Sequence, residues 1–174
     1  MSRISPAIIA ALFAFAAGTS HAQSSAPNDA QIAAIVVAAN SVDIDAGKLA
    51  EKKAHDKQVK EFAKRMVTDH TGVNKQATEL VTKLHVTPEE NDTSKSLKDN
   101  GAKEREKLKG LKGKAFDKEY VDNEVTYHQA VLDAIDKTLI PNAKNDELKA
   151  LLEKVRPAID AHLQHAKQIQ ASLK

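Results

Sequence analysis

The chain contains no cysteine, and this absence excludes a disulfide framework, a lipid-attachment cysteine and thiol catalysis. It also has no glycine-rich phosphate loop and no nucleophile elbow, which are the common sequence motifs of nucleotide binding and serine hydrolysis. Serine and threonine are concentrated in the termini and connections, where such side chains cap helices or face solvent. The sequence therefore gives no catalytic motif, and an enzymatic role is not the expectation.

No segment shows the alternation of apolar and β-branched residues that is typical of a strand, so the sequence predicts an all-α protein. An excess of charge of one sign is also lacking, since 26 basic residues stand against 24 acidic ones. Such a balance gives no electrostatic footprint for nucleic acid. The lysines from Lys95 to Lys118 are interrupted by acidic residues and accompanied by one aromatic residue, Phe116. We interpret this stretch as a solvated surface.

The one long apolar run lies near the start, at residues 7–17, between Arg3 and the small-residue stretch that ends at Ala22. This layout predicts a secretory signal peptide over residues 1–22 that is removed after export to the periplasm or the extracellular space. The run is shorter than the roughly 20 residues of a membrane span, and we expect no transmembrane anchor after processing. Association with the outer membrane is left open. Residues 23–28 are expected to be a flexible N-terminus and residues 29–174 a single domain.

Helical periodicity predicts four long helices, over residues 29–54, 56–85, 116–139 and 146–173. The boundary between the first two is the least marked, because the stretch KKAHDKQ contains neither glycine nor proline. We place a break there because Asp56 is a suitable N-cap for the second helix. Pro141 is expected to end the third helix. The apolar spacing continues across Pro157, which predicts a kink inside the fourth helix rather than its end.

The second and third helices are separated by nearly 30 residues, from Val86 to Lys114. A short and mostly exposed helix is expected there, around residues 94–109. Two helical hairpins joined by one long crossover make up the connectivity of a ferritin-like four-helix bundle. This is the fold that the pattern predicts.

Each long helix carries one metal-competent polar side chain in its apolar stripe. Seven-residue spacing places Asp43 between Val36 and Ala50, His70 between Ala63 and Ala77, His128 between Val121 and Ile135, and His162 between Val155 and Ile169. All four lie about 12 to 16 residues from the predicted helix starts, or roughly 18 to 24 Å along each helix. Antiparallel helices of similar length bring their midpoints level, so we expect one shared polar layer.

Two interpretations of this layer remain open. The four groups could bind a metal ion, or the histidines could be neutral core residues, each satisfied by one hydrogen-bond partner. Asp69, Asp122, Glu124 and His165 border the layer and are candidates either for supporting the four groups or for the surface. His55 and His85, at helix ends, are expected to be solvated.

The stretches DIDAGKLAEKKAHDKQVKEFAKRMVTDHTGVN, AFDKEYVDNEVTYHQAV and RPAIDAHLQHAK resemble an exported bacterial family called domain of unknown function 4142. Its members are often labelled predicted outer-membrane or periplasmic proteins. The resemblance covers nearly the whole mature chain and rests on Gly47-Lys48-Leu49-Ala50, Asp69-His70, Phe116-Asp117, Tyr120-Val121, His128 and His162-Leu163. It implies a ferritin-like fold but no established reaction. Asp43 stands where an acidic residue, commonly Glu, is expected, and Glu124 stands where an apolar residue is expected.

Ferritin-like di-iron enzymes place Glu-x-x-His on two helices, whereas the residues three before His70, His128 and His162 are Val67, Val125 and Ile159. A carboxylate-bridged di-iron centre is therefore not expected. A histidine-rich site is better suited to one zinc, copper or nickel ion. The sequence leaves two hypotheses, a metal-binding or metal-buffering exported protein and a non-catalytic structural or stress-related envelope module. It does not identify a protein partner.

Overall fold

The structure, a computed structural model, describes residues 26–173, and this part of the chain is helical without strands. The predicted signal peptide, residues 1–22, lies outside the described residues. The helices are α1 (Asp29–Lys53), α2 (Lys57–Lys83), α3 (Asp92–Gly110), α4 (Gly113–Ala134), a π-helical turn (Ile135–Leu139), α5 (Ile140–Asn142) and α6 (Asp146–Ser172). No helix within residues 26–173 is long and apolar enough to cross a membrane.

Local capping explains where most of these helices begin. Asn28 forms a reciprocal capping box with Gln31 at the start of α1, and Asn91 forms one with Ser94 at the start of α3. The Asn145 side chain accepts hydrogen bonds from the first turn of α6. These short polar side chains satisfy backbone N–H groups that have no partner inside the helix. Three of the four predicted long helices thus have a side-chain cap at or next to their predicted start. The exception is α4, which has no such cap and begins at Gly113, three residues before the predicted start at residue 116.

The predicted break between the first two helices is confirmed, because α1 ends at Lys53 and Asp56 caps α2. A carboxylate from a distant part of the chain completes this turn. Asp117 of α4 is buried, and its two oxygens accept hydrogen bonds from the backbone N–H groups of His55 at 2.9 Å and of Asp56 at 2.8 Å. The turn is therefore held by α4 as well as by its own cap.

The prediction that Pro141 ends the third helix was wrong. Helical structure continues to Asn142 because the π-helical turn intervenes, in which the N–H of Ile140 donates to the carbonyl of Ile135. Pro141 then lies in the first turn of the three-residue α5, a position that tolerates proline. At the other proline, α6 continues through Pro157, as the apolar spacing predicts.

The four long helices α1, α2, α6 and α4 pack in a closed ring, each against the next, and α3 lies across α1. They enclose two apolar clusters, one at each end of the ring. The cluster near the start of α1 also contains the end of α4 and the start of α6, and the second contains the end of α1 and the start of α2. Ring neighbours therefore run antiparallel, and α3 carries the chain from the end of α2 back to the start of α4.

Candidate metal centre

The four polar groups predicted in the apolar stripes of the long helices share one layer of the core. Asp43 of α1, His70 of α2, His128 of α4 and His162 of α6 are all buried, with at most 4 % of each residue exposed. The centroids of the three imidazole rings lie 5.3 to 5.7 Å from one another. The predicted shared layer is therefore confirmed. It lies between the two apolar clusters, at the middle of each long helix.

The imidazole of His70 is fixed by Asn40, which lies one turn before Asp43 on α1. Asn40 donates from Nδ2 to the carbonyl of Val36 at 2.8 Å, so its Oδ1 accepts, and this oxygen lies 2.6 Å from Nδ1 of His70. His70 therefore carries its proton on Nδ1. Its Nε2, which keeps a lone pair, lies 3.0 Å from Oδ2 of Asp43.

The other two imidazoles are fixed in the same way by different acceptors. Nδ1 of His128 donates to the backbone carbonyl of Glu124 at 3.0 Å, which leaves the Nε2 lone pair 3.4 Å from Oδ2 of Asp43. Nε2 of His162 donates to Oδ2 of Asp69 at 2.9 Å, and Asp69 in turn accepts from Nε of Arg65 at 3.2 Å. Each histidine thus directs one N–H away from the centre of the layer.

When the three imidazoles are neutral, the atoms that remain are all acceptors. Nε2 of His70, Nε2 of His128, Nδ1 of His162 and both carboxylate oxygens of Asp43 are buried without a hydrogen-bond partner among the described residues. One ring nitrogen from each histidine lies within 4.8 Å of the others. Lone pairs that face one another in a dry core repel, and a buried acceptor without a donor is destabilising. A cation relieves both effects.

These groups fit a transition-metal ion by number and by type. The three imidazoles form one group of possible ligands, and Asp43, whose Oδ2 lies 3.0 Å from His70 and 3.4 Å from His128, offers a fourth ligand for a tetrahedral zinc site. Imidazole also suits copper and nickel. Ligand atoms lie about 2 Å from zinc and therefore no more than about 4 Å from one another. The three ring nitrogens, which lie within 4.8 Å of one another, need to move closer together by less than about 1 Å to bind the ion. Outward hydrogen bonds that fix the tautomer are the usual support of histidine ligands.

Glu124 joins the layer as a second buried carboxyl group, with 1 % of the residue exposed. Its Oε2 lies 3.3 Å from Nδ1 of His128, and Asp43, Glu124 and His128 form a further group of possible ligands. Burial and the nearby Asp43 carboxylate raise the pKa of Glu124 to about 7. The departure from the family pattern at this position therefore places an acid in the core and not at the surface.

The protonation of the layer follows from its charges. Burial raises the pKa of Asp43, but the three histidines around it outweigh this effect and lower the pKa overall. Burial lowers the pKa of His128, but its contacts with Glu124 and Asp43 raise that pKa to about 9. Burial and the two neighbouring imidazoles lower the pKa of His162 to about 4, although the hydrogen bond to Asp69 acts in the opposite direction. Without a metal ion, His128 therefore carries a second proton that offsets part of the repulsion around Asp43, and a bound ion would replace this proton, whereas His162 is already neutral.

The other sequence candidates lie further out. Asp69, whose side chain is 39 % exposed, supports His162 from the rim. Asp122 lies at the surface, where it pairs with Lys118 and accepts from Gln170 at 2.8 Å. His165 packs against Phe62, with ring centroids 5.3 Å apart. His55 and His85 are exposed, as expected for helix ends.

Sequence reasoning missed Asn40 as a contact of the layer. The signal was present, because Asn40 is three residues before Asp43 and four after Val36, on the buried side of α1. A polar residue at such a position needs a partner, and His70 provides it.

The fold and this layer define a class: an all-helical protein with a buried group of three histidines and one aspartate midway along its long helices. The chain belongs to the family described as domain of unknown function (DUF4142), whose model matches residues 14–169. The resemblance drawn from the sequence is thereby confirmed. No curated protein and no solved structure matches the chain.

Proposed function

We propose that this protein is an exported, ferritin-like helical-bundle protein that binds one zinc, copper or nickel ion through His70, His128, His162 and Asp43. One observation carries the proposal. Each of the three imidazoles donates a hydrogen bond outward and directs its other nitrogen at a shared space beside the Asp43 carboxylate. A histidine that serves packing alone has no need for such convergence, since one partner satisfies it and its other edge can face apolar atoms.

The ferritin-like part of the proposal is supported by connectivity. The ring neighbours run antiparallel, and one long crossover that contains α3 links the two hairpins, as in ferritin-like bundles. The ligand set differs from the di-iron members of that class, since Glu-x-x-His is not found on these helices. Three nitrogen ligands and one carboxylate favour metal binding or buffering over the chemistry of carboxylate-bridged iron.

Zinc titration of the purified mature protein, residues 23–174, tests the site. We expect one zinc ion per chain by elemental analysis and by calorimetry. Replacing His70, His128 or His162 singly by Ala should weaken binding by at least about 100-fold, because each ligand is one of four that share a binding free energy on the order of 10 kcal/mol.

His55→Ala is the matched control, because this imidazole is exposed at a helix end and lies outside the layer. It should bind zinc with the affinity of the unchanged protein. Full zinc affinity in any one of the three layer variants would remove that residue from the site. A folded protein that takes up neither zinc, copper nor nickel would favour the structural envelope module instead.

Export is tested independently of the metal. Expression of the full chain in a bacterium should yield a mature protein that starts at Gln23 in the periplasmic or extracellular fraction, because residues 1–22 have the layout of a signal peptide. Intact mass and cell fractionation measure this. Recovery of the uncleaved chain in the membrane pellet would contradict the proposal.

A further inference from the structure

The charges of the chain are balanced overall but separated along the helical ring. The ends of α1, α3 and α6 meet the starts of α2 and α4 around one apolar cluster. The terminal eight residues of these helices and their connections, residues 46–64, 103–120 and 165–173, hold 14 basic and 7 acidic residues. We call them the basic end. The same selection at the opposite end, residues 29–36, 76–99 and 127–153, holds 6 basic and 11 acidic residues and is called the acidic end.

Most of the positive charge at the basic end has no partner in the protein. Five of its 14 basic residues form ion pairs. Lys53 donates to the backbone carbonyls of Leu108 and Lys109. The remaining eight are exposed lysines that form no ion pair within residues 26–173, namely Lys48, Lys52, Lys60, Lys64, Lys103, Lys112, Lys114 and Lys167.

The acidic residues of the basic end are largely engaged elsewhere. Glu61, Glu106 and Glu119 are the partners of lysines that are already counted as paired. Asp56 and Asp117 accept hydrogen bonds from backbone N–H groups at the start of α2. The unpaired lysines therefore dominate the electrostatic potential at this end of the molecule.

The residue types at the basic end favour a diffuse layer of negative charge as the partner. All but one of its basic residues are lysines, and the exception, Arg105, pairs with Asp45. Lysine acts as a point charge, whereas recognition of a single phosphate group relies more on the fork of arginine. The aromatic residues of this end, Phe62, Phe116 and Tyr120, are buried. They cannot stack on the bases of a nucleic acid.

We propose that the basic end docks onto a bilayer surface that contains anionic phospholipids, with the acidic end directed away from it. Attraction between lysines and such a surface decays within a Debye length, about 8 Å at physiological ionic strength. The 25 residues of α1 span about 37 Å. An end-on arrangement therefore brings the basic end within range of the surface and keeps the acidic end beyond it.

Vesicle co-sedimentation of the mature protein, residues 23–174, tests this docking. The probe is a vesicle of about 30 % phosphatidylglycerol in phosphatidylcholine, and a vesicle of phosphatidylcholine alone is the neutral control. At about 50 mM salt the protein should sediment with the anionic vesicles only. Salt at about 500 mM should release it, because the contact depends on charge and the Debye length becomes shorter.

A triple variant locates the contact. Lys52→Gln, Lys112→Gln and Lys114→Gln together remove three exposed and unpaired charges from the basic end. Binding to the anionic vesicles should fall by at least about 100-fold, because each lysine close to such a surface contributes about fivefold. Circular dichroism verifies that the variant keeps its helical fold.

The matched control removes the same charge from the acidic end. Lys95, Lys144 and Lys149 form no ion pair within the described part of the chain, and each is replaced by Gln. This variant has the same net charge as the first and should bind the vesicles at least as tightly as the unchanged protein. Equal weakening in the two triple variants would overturn the assignment of the contact to the basic end.

Three further results would overturn the proposal. The first is a failure to sediment with anionic vesicles at about 50 mM salt, and the second is equal sedimentation with neutral ones. The third is an assembly of the lipid-free protein, seen by sedimentation velocity, that the basic-end variant dissociates, because the acidic end of a second copy would then occupy the surface. Zinc and chelator should leave vesicle binding unchanged, since the polar layer is buried between the two ends.

Discussion

At the residue scale, the three layer histidines are supported by groups of different strength. His70 donates to a side-chain amide, His128 to a backbone carbonyl and His162 to the carboxylate of Asp69. A charged acceptor makes the strongest of these hydrogen bonds and increases the basicity of the ring that donates to it. His162 should therefore be the ligand that depends most on its partner.

Asp69→Ala tests this dependence. We expect zinc affinity to fall by about 10 to 100-fold, because His162 loses the group that fixes its tautomer and orientation. Competition with a zinc-binding dye measures the change. Asp122→Ala is the control, since Asp122 pairs with Lys118 at the surface. Equal zinc affinities in the two variants would show that Asp69 has no part in positioning His162.

At the element scale, two helices approach each other closely where Gly47 of α1 faces α2. A methyl group at this position would lie 2.9 Å from Cγ2 of Val67 and 3.1 Å from the carbonyl oxygen of Ala63. A backbone carbonyl cannot rotate away as a side-chain terminus can. Gly47 therefore fixes the distance between α1 and α2, on which the contact between Asp43 and His70 depends.

Gly47→Ala and Gly72→Ala form a matched pair at mid-helix positions. Gly72 has open space around its Cα, with no atom within 4 Å of an added Cβ. Its substitution should stabilise the protein by about 0.5 to 1 kcal/mol through helix propensity. Gly47→Ala gains the same propensity but forces α1 and α2 apart, so the free energies of unfolding should differ by about 1 to 3 kcal/mol. Urea denaturation gives both values, and equal stabilities would contradict the close approach.

At the scale of the whole molecule, the polar layer interrupts what would otherwise be one continuous core. Two apolar clusters lie on either side of it, and each long helix contributes one of its four candidate ligands. Without a metal ion, only the additional proton on His128 offsets the repulsion between the facing acceptors of the layer. A bound ion would remove this conflict and cross-link four helices at once.

Zinc should therefore raise the midpoint of thermal unfolding in proportion to its affinity for the folded state. At a free zinc concentration 100 times the dissociation constant, the gain is about 2.7 kcal/mol. Calorimetric scans with zinc and then with excess chelator measure it, and chelation should reverse the shift. The His128→Ala variant should show little shift, whereas His55→Ala should show the full one. A shift of the same size in His128→Ala would mean that zinc acts elsewhere on the chain.

The helices were predictable because their signals are local. Asn28, Asp56 and Asn145 each cap a helix through groups at most three residues away. The polar layer was predictable as well, because seven-residue spacing on each helix places a side chain on the buried face whatever packs against it. The helical extension past Pro141 was not, because a π-helical turn has no comparable signature in the sequence.

Only the tertiary structure decided which atoms face one another. Glu124 and Asp122 lie two residues apart on α4, and the rotation of α4 against α1 and α6 buries the first and leaves the second partly exposed at the surface. The tautomer of His162 depends on Asp69, which is 93 residues away in the chain, and the turn between α1 and α2 depends on Asp117, 62 residues beyond His55. The sequence by itself determined the helices and the position of the polar layer along them, since backbone hydrogen bonds and caps act within a few residues. The donors and acceptors of the layer were determined by packing, because side chains from four separate helices meet only after the ring has closed.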